Sequence, residues 1–250
     1  MIKYFIPALT AASVLASCGN DDAGTTGSRE DSTGSKQAAA PDIKDESIKY
    51  GTDTVTFNGY LAFDENRAGR LPVVLVVHEW WGLNDYVKDR AKQLAEMGYL
   101  AMAVDMYGNG KNAANPEEAM ALATPFYKSP LLAKSRLEAA LAKIKADPRA
   151  DTTRTAAIGY CYGGYVVLNA AKLGADLDGV VSFHGGLGGA PATKNMKAKV
   201  LVCHGGADNF VPKEEIDIFR KTMTTVGADY DFKVYPNATH AFTNPDATET

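Results

Sequence analysis

From Ile48 onward, apolar residues fall into short blocks separated by turn-forming ones. Ile48–Tyr50, Val55–Phe57 and Tyr60–Phe63 are brief β-like runs around Gly51 and Gly59, and they predict leading antiparallel strands. Val73–Val77 is an unbroken run of valine and leucine, the pattern of a strand buried on both faces. Val87, Ala91, Leu94 and Ala95 then share one helical face, with Asn84 as N-cap and Gly98 as the stop. Tyr99–Val104 reads as the next strand. Residues 106–130 form a loop region holding a short helix that begins near Pro116. A further helix, about Leu131–Lys145, carries Leu137, Ala140, Leu141 and Ile144 on one stripe and ends at Asp147-Pro148. Strands follow at Thr155–Gly159, Gly179–Phe183, Val200–Cys203 and Tyr230–Val234. Helices are expected over Gly163–Ala171 and after Pro212, the latter marked by Ile216, Phe219, Met223 and Val226. Strand and helix alternate from residue 73 to 235, which predicts an α/β fold with a mostly parallel sheet flanked by helices.

The first residues obey a different pattern. Lys3 precedes an apolar stretch, Tyr4–Ala16, too short to span a bilayer as a finished helix. Residues 1–17 read as a secretory signal peptide, and Leu15-Ala16-Ser17-Cys18 resembles a bacterial lipobox, which implies cleavage before Cys18 and a diacylglycerol on its thiol. Residues 18–46 are rich in Gly, Ser, Thr, Asp and Ala, with Ile43 their one large aliphatic, and read as a flexible tether. Residues 47–250 then form the folded domain. These readings place the protein in the bacterial cell envelope, lipid-anchored on its periplasmic or cell-surface face.

Composition narrows the class. Of 250 residues, 46% are hydrophobic and 22% charged, which is enough apolar material for a real core. The net charge of −4, without a long basic run, argues against a nucleic-acid partner. Cys18, Cys161 and Cys203 are too few and scattered for a disulfide framework. His78, His184, His204 and His240 lie far apart, with no HxxxH or CxxC, so neither a metal nor another cofactor is expected. A monomer is expected.

The strongest chemical signal is Gly159-Tyr160-Cys161-Tyr162-Gly163, the thiol form of the G-x-S-x-G elbow, between an expected strand and an expected helix. The glycines leave room at a strained turn, and the N-terminus of the following helix favours negative charge on the sulfur. A thiol needs a base, and the base an orienting acid. In the chain order nucleophile, acid, histidine, His240 lies in a loop after the last strand, where the base belongs. Asp208, in the turn after the penultimate strand, suits the acid; Asp178 and Asp231 read as surface residues. His184 and His204, each followed by Gly-Gly at a strand end, read as shaping turns or bonding locally.

His78-Glu79-Trp80-Trp81-Gly82, the cysteine elbow, the Gly205-Gly206-Ala207-Asp208 turn and Asn237-Ala238-Thr239-His240-Ala241-Phe242 together resemble the dienelactone hydrolase family over about residues 47–245. The steps of 47 residues from Cys161 to Asp208 and 32 from Asp208 to His240 suit that family. The resemblance implies an α/β-hydrolase fold with Cys161 as nucleophile, His240 as base, Asp208 as orienter and Glu79 as an extra carboxylate that activates the thiol. The oxyanion hole would use the backbone N–H groups of Tyr162 and Trp80. Trp80, Trp81, Tyr107, Tyr160 and Tyr162 are candidates to wall an apolar pocket for a small-molecule ester or lactone. Two departures stand out. The family's arginine a few residues after the histidine is missing, since no arginine follows Arg220. The family also continues into a final helix, whereas this sequence ends ten residues after His240, so either the chain is truncated or one sheet face is partly uncovered.

Ester or lactone hydrolysis through an acyl-cysteine is the leading expectation. A thioesterase or acyltransferase on the same triad is a second, because an acyl-cysteine can pass its group to acceptors other than water. A non-catalytic binding lipoprotein is a third, whose mark would be a broken triad. Cys161, Asp208 and His240 are all present.

Overall fold

The computed structural model describes residues 40–247 apart from Asp53 and Asn195. The signal peptide, Cys18 and most of the tether read from the sequence lie outside the described residues. In chain order the elements are β1 (Ile43–Gly51), β2 (Thr56–Asp64), β3 (Leu71–Val77), α1 (Asp85–Glu96), β4 (Leu100–Val104), α2 (Pro116–Lys128), α3 (Pro130–Lys145), β5 (Ala150–Tyr160), α4 (Tyr162–Lys172), β6 (Gly179–Phe183), β7 (Lys199–Gly205), α5 (Lys213–Val226) and β8 (Tyr230–Tyr235). The strands form a sheet in the order β1-β2-β4-β3-β5-β6-β7-β8. Pairing is antiparallel from β1 to β2 and from β2 to β4, and parallel from β4 through β8.

The expected α/β architecture is therefore present, with one boundary corrected. The first strand begins at Ile43, inside the stretch read as tether. Lys44, Asp45 and Glu46 are exposed, so no apolar alternation marks this edge strand; main-chain pairing with Leu61–Asp64 holds it instead. The runs read separately at Val55–Phe57 and Tyr60–Phe63 are one strand, β2.

β3 sits near the middle of the sheet because it can be buried on both faces. Leu75, Val76 and Val77 are fully buried, each stabilising the fold by about 1.5–3 kcal/mol relative to exposure. Helix α1 covers one face, where small Ala91, Ala95, Ala101 and Ala103 let it approach the sheet beside Val76 and Val87. On the other face, Leu137 and Ile144 of α3, Val167 of α4 and Phe219 of α5 pack over Leu75, Val77, Met102 and Val200. The Asn84 side chain caps α1 on the Val87 N–H, and Asn115 and Ser129 cap α2 and α3 with proline in the first turn of each.

The chain leaves β3 through α1 to β4 on one side, then crosses through α2 and α3 to β5 on the other. At such a switch point, the carboxyl ends of the two neighbouring strands open a crevice. The Glu79–Trp80 turn follows β3 and Cys161 follows β5, so both face that crevice.

Candidate active site

Cys161 joins the end of β5 to α4 with φ +52°, a left-handed conformation that a residue with a Cβ adopts only under constraint. The constraint is the closeness of strand and helix. A Cβ on Gly159 would lie 2.1 Å from the Gly163 carbonyl oxygen, and one on Gly163 would lie 2.4 Å from the Val77 carbonyl oxygen. The G-x-C-x-G spacing is thus what lets α4 start directly over the sheet, with its first turn beside the sulfur.

His240, in the loop after β8, brings its Nε2 to 3.2 Å from the Cys161 Sγ. Its Nδ1 lies 2.9 Å from the Asp208 Oδ2, on the turn after β7. Nδ1–H donating to a carboxylate fixes the ring so that Nε2 faces the sulfur. Burial opposes a charge on His240, but the hydrogen bonds with Asp208 and Cys161 outweigh it and push its pKa up to about 10. Burial likewise works against the charge on Asp208, yet the His240 bond and the Phe210 N–H, which donates to Oδ1 at 2.9 Å, hold it below the usual carboxylate range. The arrangement favours imidazolium beside the sulfur.

Glu79 is 5% exposed and accepts from the Asn244 Nδ2 at 3.0 Å. Burial raises its pKa against the opposing pull of Asn244, His240 and Arg90. His78 holds the turn carrying Glu79: its Nδ1–H donates to the Glu79 carbonyl, and its Nε2 accepts from the Met106 N–H at 3.3 Å. Burial lowers the His78 pKa to about 4, so the ring stays neutral. The Tyr162 and Trp80 amides donate to no acceptor among the described residues, as an oxyanion hole requires.

The aromatic residues divide differently from the expectation. Trp80 and Trp81 stand edge to face, 5.2 Å between ring centres, half-buried at the crevice. Tyr107 and Tyr160 do not form open walls. Tyr107 is buried against His78, Phe126 and Tyr162, with its hydroxyl on the Trp80 carbonyl at 2.9 Å. Tyr160 points to the α1 face, stacked on Phe183 and edge to face with Tyr86, because strand alternation sends it there with Ile158. Tyr162 likewise has a fully buried ring, so only its amide is available. One aromatic outside that expectation lies against the site. Phe210, 64% exposed, sits 4.7 Å from the His240 ring. Tyr127 packs edge to face against Tyr162 and Tyr165, and burial raises its pKa. His184 also departs from the expectation: its contacts run to Cys161 and Thr243.

Residues 57–250 match the model of the Dienelactone hydrolase family. The chain belongs to the dienelactone hydrolase family. It is accordingly a hydrolase, of the ester- and lactone-cleaving class. The solved structure of m3DLH superposes with a TM-score of 0.79 at 37% identity, over 82% of this chain and 86% of that one. The dienelactone hydrolase-like promiscuous phosphotriesterase P91, from metagenomic libraries, superposes with a TM-score of 0.78 at 32% identity, over 81% of this chain and 85% of that one. A Methylorubrum extorquens protein named "Putative carboxymethylenebutenolidase" is 32% identical over 186 residues; the match takes in 70% of this chain and 64% of the length of that relative.

The two described cysteines of this dienelactone hydrolase family member are free thiols. Cys161 ends β5 and Cys203 lies in β7, with Phe183 of β6 between them: its carbonyl accepts from the Cys161 N–H, and it is paired in register with Cys203. Two strand spacings are about 9.5 Å, beyond the roughly 7 Å that a disulfide bridges. Burial also raises the Cys203 pKa. In a Cys18→Ser background, iodoacetamide should modify one thiol quickly in the folded protein and two after denaturation without reductant. A Cys161–Cys203 cross-linked peptide in the unreduced digest would contradict this.

Proposed function

We propose that the protein cleaves small, uncharged esters or lactones through a cysteinyl acyl-enzyme. The observation that carries this is the line from Asp208 through His240 to Cys161, at 2.9 and 3.2 Å. The sulfur attacks the carbonyl carbon, and the carbonyl electron pair moves onto oxygen, held by the Tyr162 and Trp80 N–H groups. Collapse expels the alkoxide, which takes the proton from His240 Nε2, and leaves a thioester on Cys161. Water then attacks, His240 accepts its proton, and the second tetrahedral intermediate releases the carboxylic acid and the sulfur. Asp208 keeps the imidazole oriented throughout.

Preference for uncharged substrates is supported by where the cations lie. Arg90 donates to the Thr243 carbonyl and to the Gln93 side chain at 2.8 Å, and lies over the Tyr86 ring at 5.0 Å. Its two terminal nitrogens are committed to the protein. Asn244, in the stretch after His240, is bonded to Glu79. Neutral p-nitrophenyl esters and a neutral phosphotriester, the class named for P91, should be compared with a carboxylate-bearing dienelactone. One absent ion pair is worth about tenfold in kcat/KM, so the neutral carboxylic esters should lead by at least about that factor. Faster turnover of the charged lactone would refute the preference. Trapping the acyl-enzyme and offering water against an alcohol separates hydrolysis from acyl transfer.

We further propose that the protein acts as a monomer in the bacterial cell envelope, anchored by a lipid on Cys18, with residues 18–42 as its tether. Wild type expressed in a bacterium should partition with membranes, and detergent-solubilised protein should sediment as one chain. Cys18→Ser should give unprocessed precursor or soluble protein, and soluble wild type without a lipid adduct by mass spectrometry would refute the anchor.

A further inference from the structure

His184 follows β6, next to the strand that ends at the nucleophile, and is 1% exposed with φ +42°. The Cys161 N–H is shared between the Phe183 carbonyl oxygen at 3.0 Å and the His184 Nδ1 at 3.1 Å. A proton on Nδ1 would point at that N–H, so Nδ1 carries the lone pair and Nε2 carries the hydrogen. Nε2 lies 2.8 Å from the Thr243 hydroxyl, which it therefore reaches as a donor. The same hydroxyl is 2.9 Å from the Tyr86 hydroxyl, and the Thr243 carbonyl is held by Arg90. Thr243 is three residues after His240. The His184 ring also packs edge-on against His240, 5.2 Å between centres, and against Phe242 at 5.4 Å.

We infer that His184 is a positioning residue for this hydrolase: one ring holds the main chain of the nucleophile and, through Thr243, the loop that carries the base. Cys161 and His240 come from separate segments, 79 residues apart, and their contact is a single 3.2 Å approach of ring to sulfur. A misplacement of about 1 Å in such a pair can cost about 100-fold in rate. His184 spans both segments at once, so it fixes that separation directly. Burial, and then the nearby His240, keep its pKa down at about 3, which suits a ring that must stay in one tautomer. The inference rests on Cys161 being the nucleophile.

The test uses the intact chain and a neutral p-nitrophenyl ester. His184→Phe keeps a ring and removes both hydrogen bonds; kcat should fall about 30-fold with KM within twofold, and alkylation of Cys161 by iodoacetamide should change with it. Thr243→Val cuts only the far half and should lower kcat about fivefold, while Thr243→Ser, which restores the hydroxyl, should recover most of it. The double variant His184→Phe/Thr243→Val should be no slower than His184→Phe alone, because both act along one path. A folded His184→Phe protein with kcat within twofold of wild type overturns the inference, as do effects that multiply in the double variant. If His184→Phe does not fold, Thr243→Val decides: unchanged kcat overturns the inference. Cys161→Ala is assayed beside them. Turnover surviving there overturns the nucleophile reading and this inference together, whereas its loss beside an unaffected His184→Phe overturns this inference alone.

Discussion

Cys161→Ala should fold with the thermal midpoint of the wild type and show no measurable ester turnover, a loss of at least about 10⁴ in kcat. The separation of effects follows from the local geometry. The backbone at residue 161 is held by its N–H to Phe183 and His184 and by its carbonyl to the Tyr165 N–H, none of which involves the sulfur. Alanine keeps the Cβ and removes only the atom that His240 approaches. The Tyr162 and Trp80 amides proposed as oxyanion donors survive, so a residual rate above water is expected from them. His240→Ala and Asp208→Asn should each lower kcat by about 10³–10⁴, and a double variant should be little worse than the poorer single one, since the three groups act as a unit. Steady-state kinetics with burst analysis reads all four proteins. Turnover in Cys161→Ala near the wild-type level would end the assignment of the nucleophile.

Gly163→Ala should yield no soluble folded protein. Its added Cβ would stand 2.4 Å from the Val77 carbonyl oxygen and 2.7 Å from that of His78. Both oxygens belong to main chain at the end of β3, which is paired on both sides and cannot move aside alone. Relief requires α4 to lift from the sheet, which strips contacts from Val166 and Val167, both fully buried. A cost of about 4 kcal/mol or more falls within the total stability of a typical domain. Gly179→Ala is the control, because its Cβ would meet nothing nearer than the Lys199 oxygen at 3.7 Å. Soluble yield and urea midpoints compare the two. A Gly163→Ala protein as stable as Gly179→Ala would show that helix and strand are not in contact at the elbow.

The fold could be anticipated where burial and local chemistry agree. Val73–Val77 is apolar throughout because both faces of β3 are covered, and Gly159 and Gly163 are glycine because strand and helix touch there. Chain order alone pointed to Asp208 and His240, which the structure brings together with Cys161. Other features depend on which strands become neighbours. His184 reaches Cys161 only because β6 pairs with β5, and nothing near residue 184 in the chain records that pairing. Tyr160 is a candidate pocket wall from the resemblance alone, but side-chain direction in a strand alternates, and it faces α1 beside Ile158. The start of β1 escaped notice because its residues are polar and an edge strand can be held by its main chain alone.

The site is stitched from distant parts of the chain. Asn244 meets Glu79 across 165 residues, Thr243 meets Tyr86 across 157, and His240 meets Cys161 across 79. Contacts this remote repay the entropy of closing their loops only after the nearer ones have formed. His240, moreover, lies on a loop after β8, which among the described residues pairs with β7 alone. Secondary structure and a buried β3–β5 centre can therefore exist before Cys161 and His240 meet. With Cys161 and His240 in the roles proposed above, ester turnover should return last on refolding, after β3 and β5 have paired.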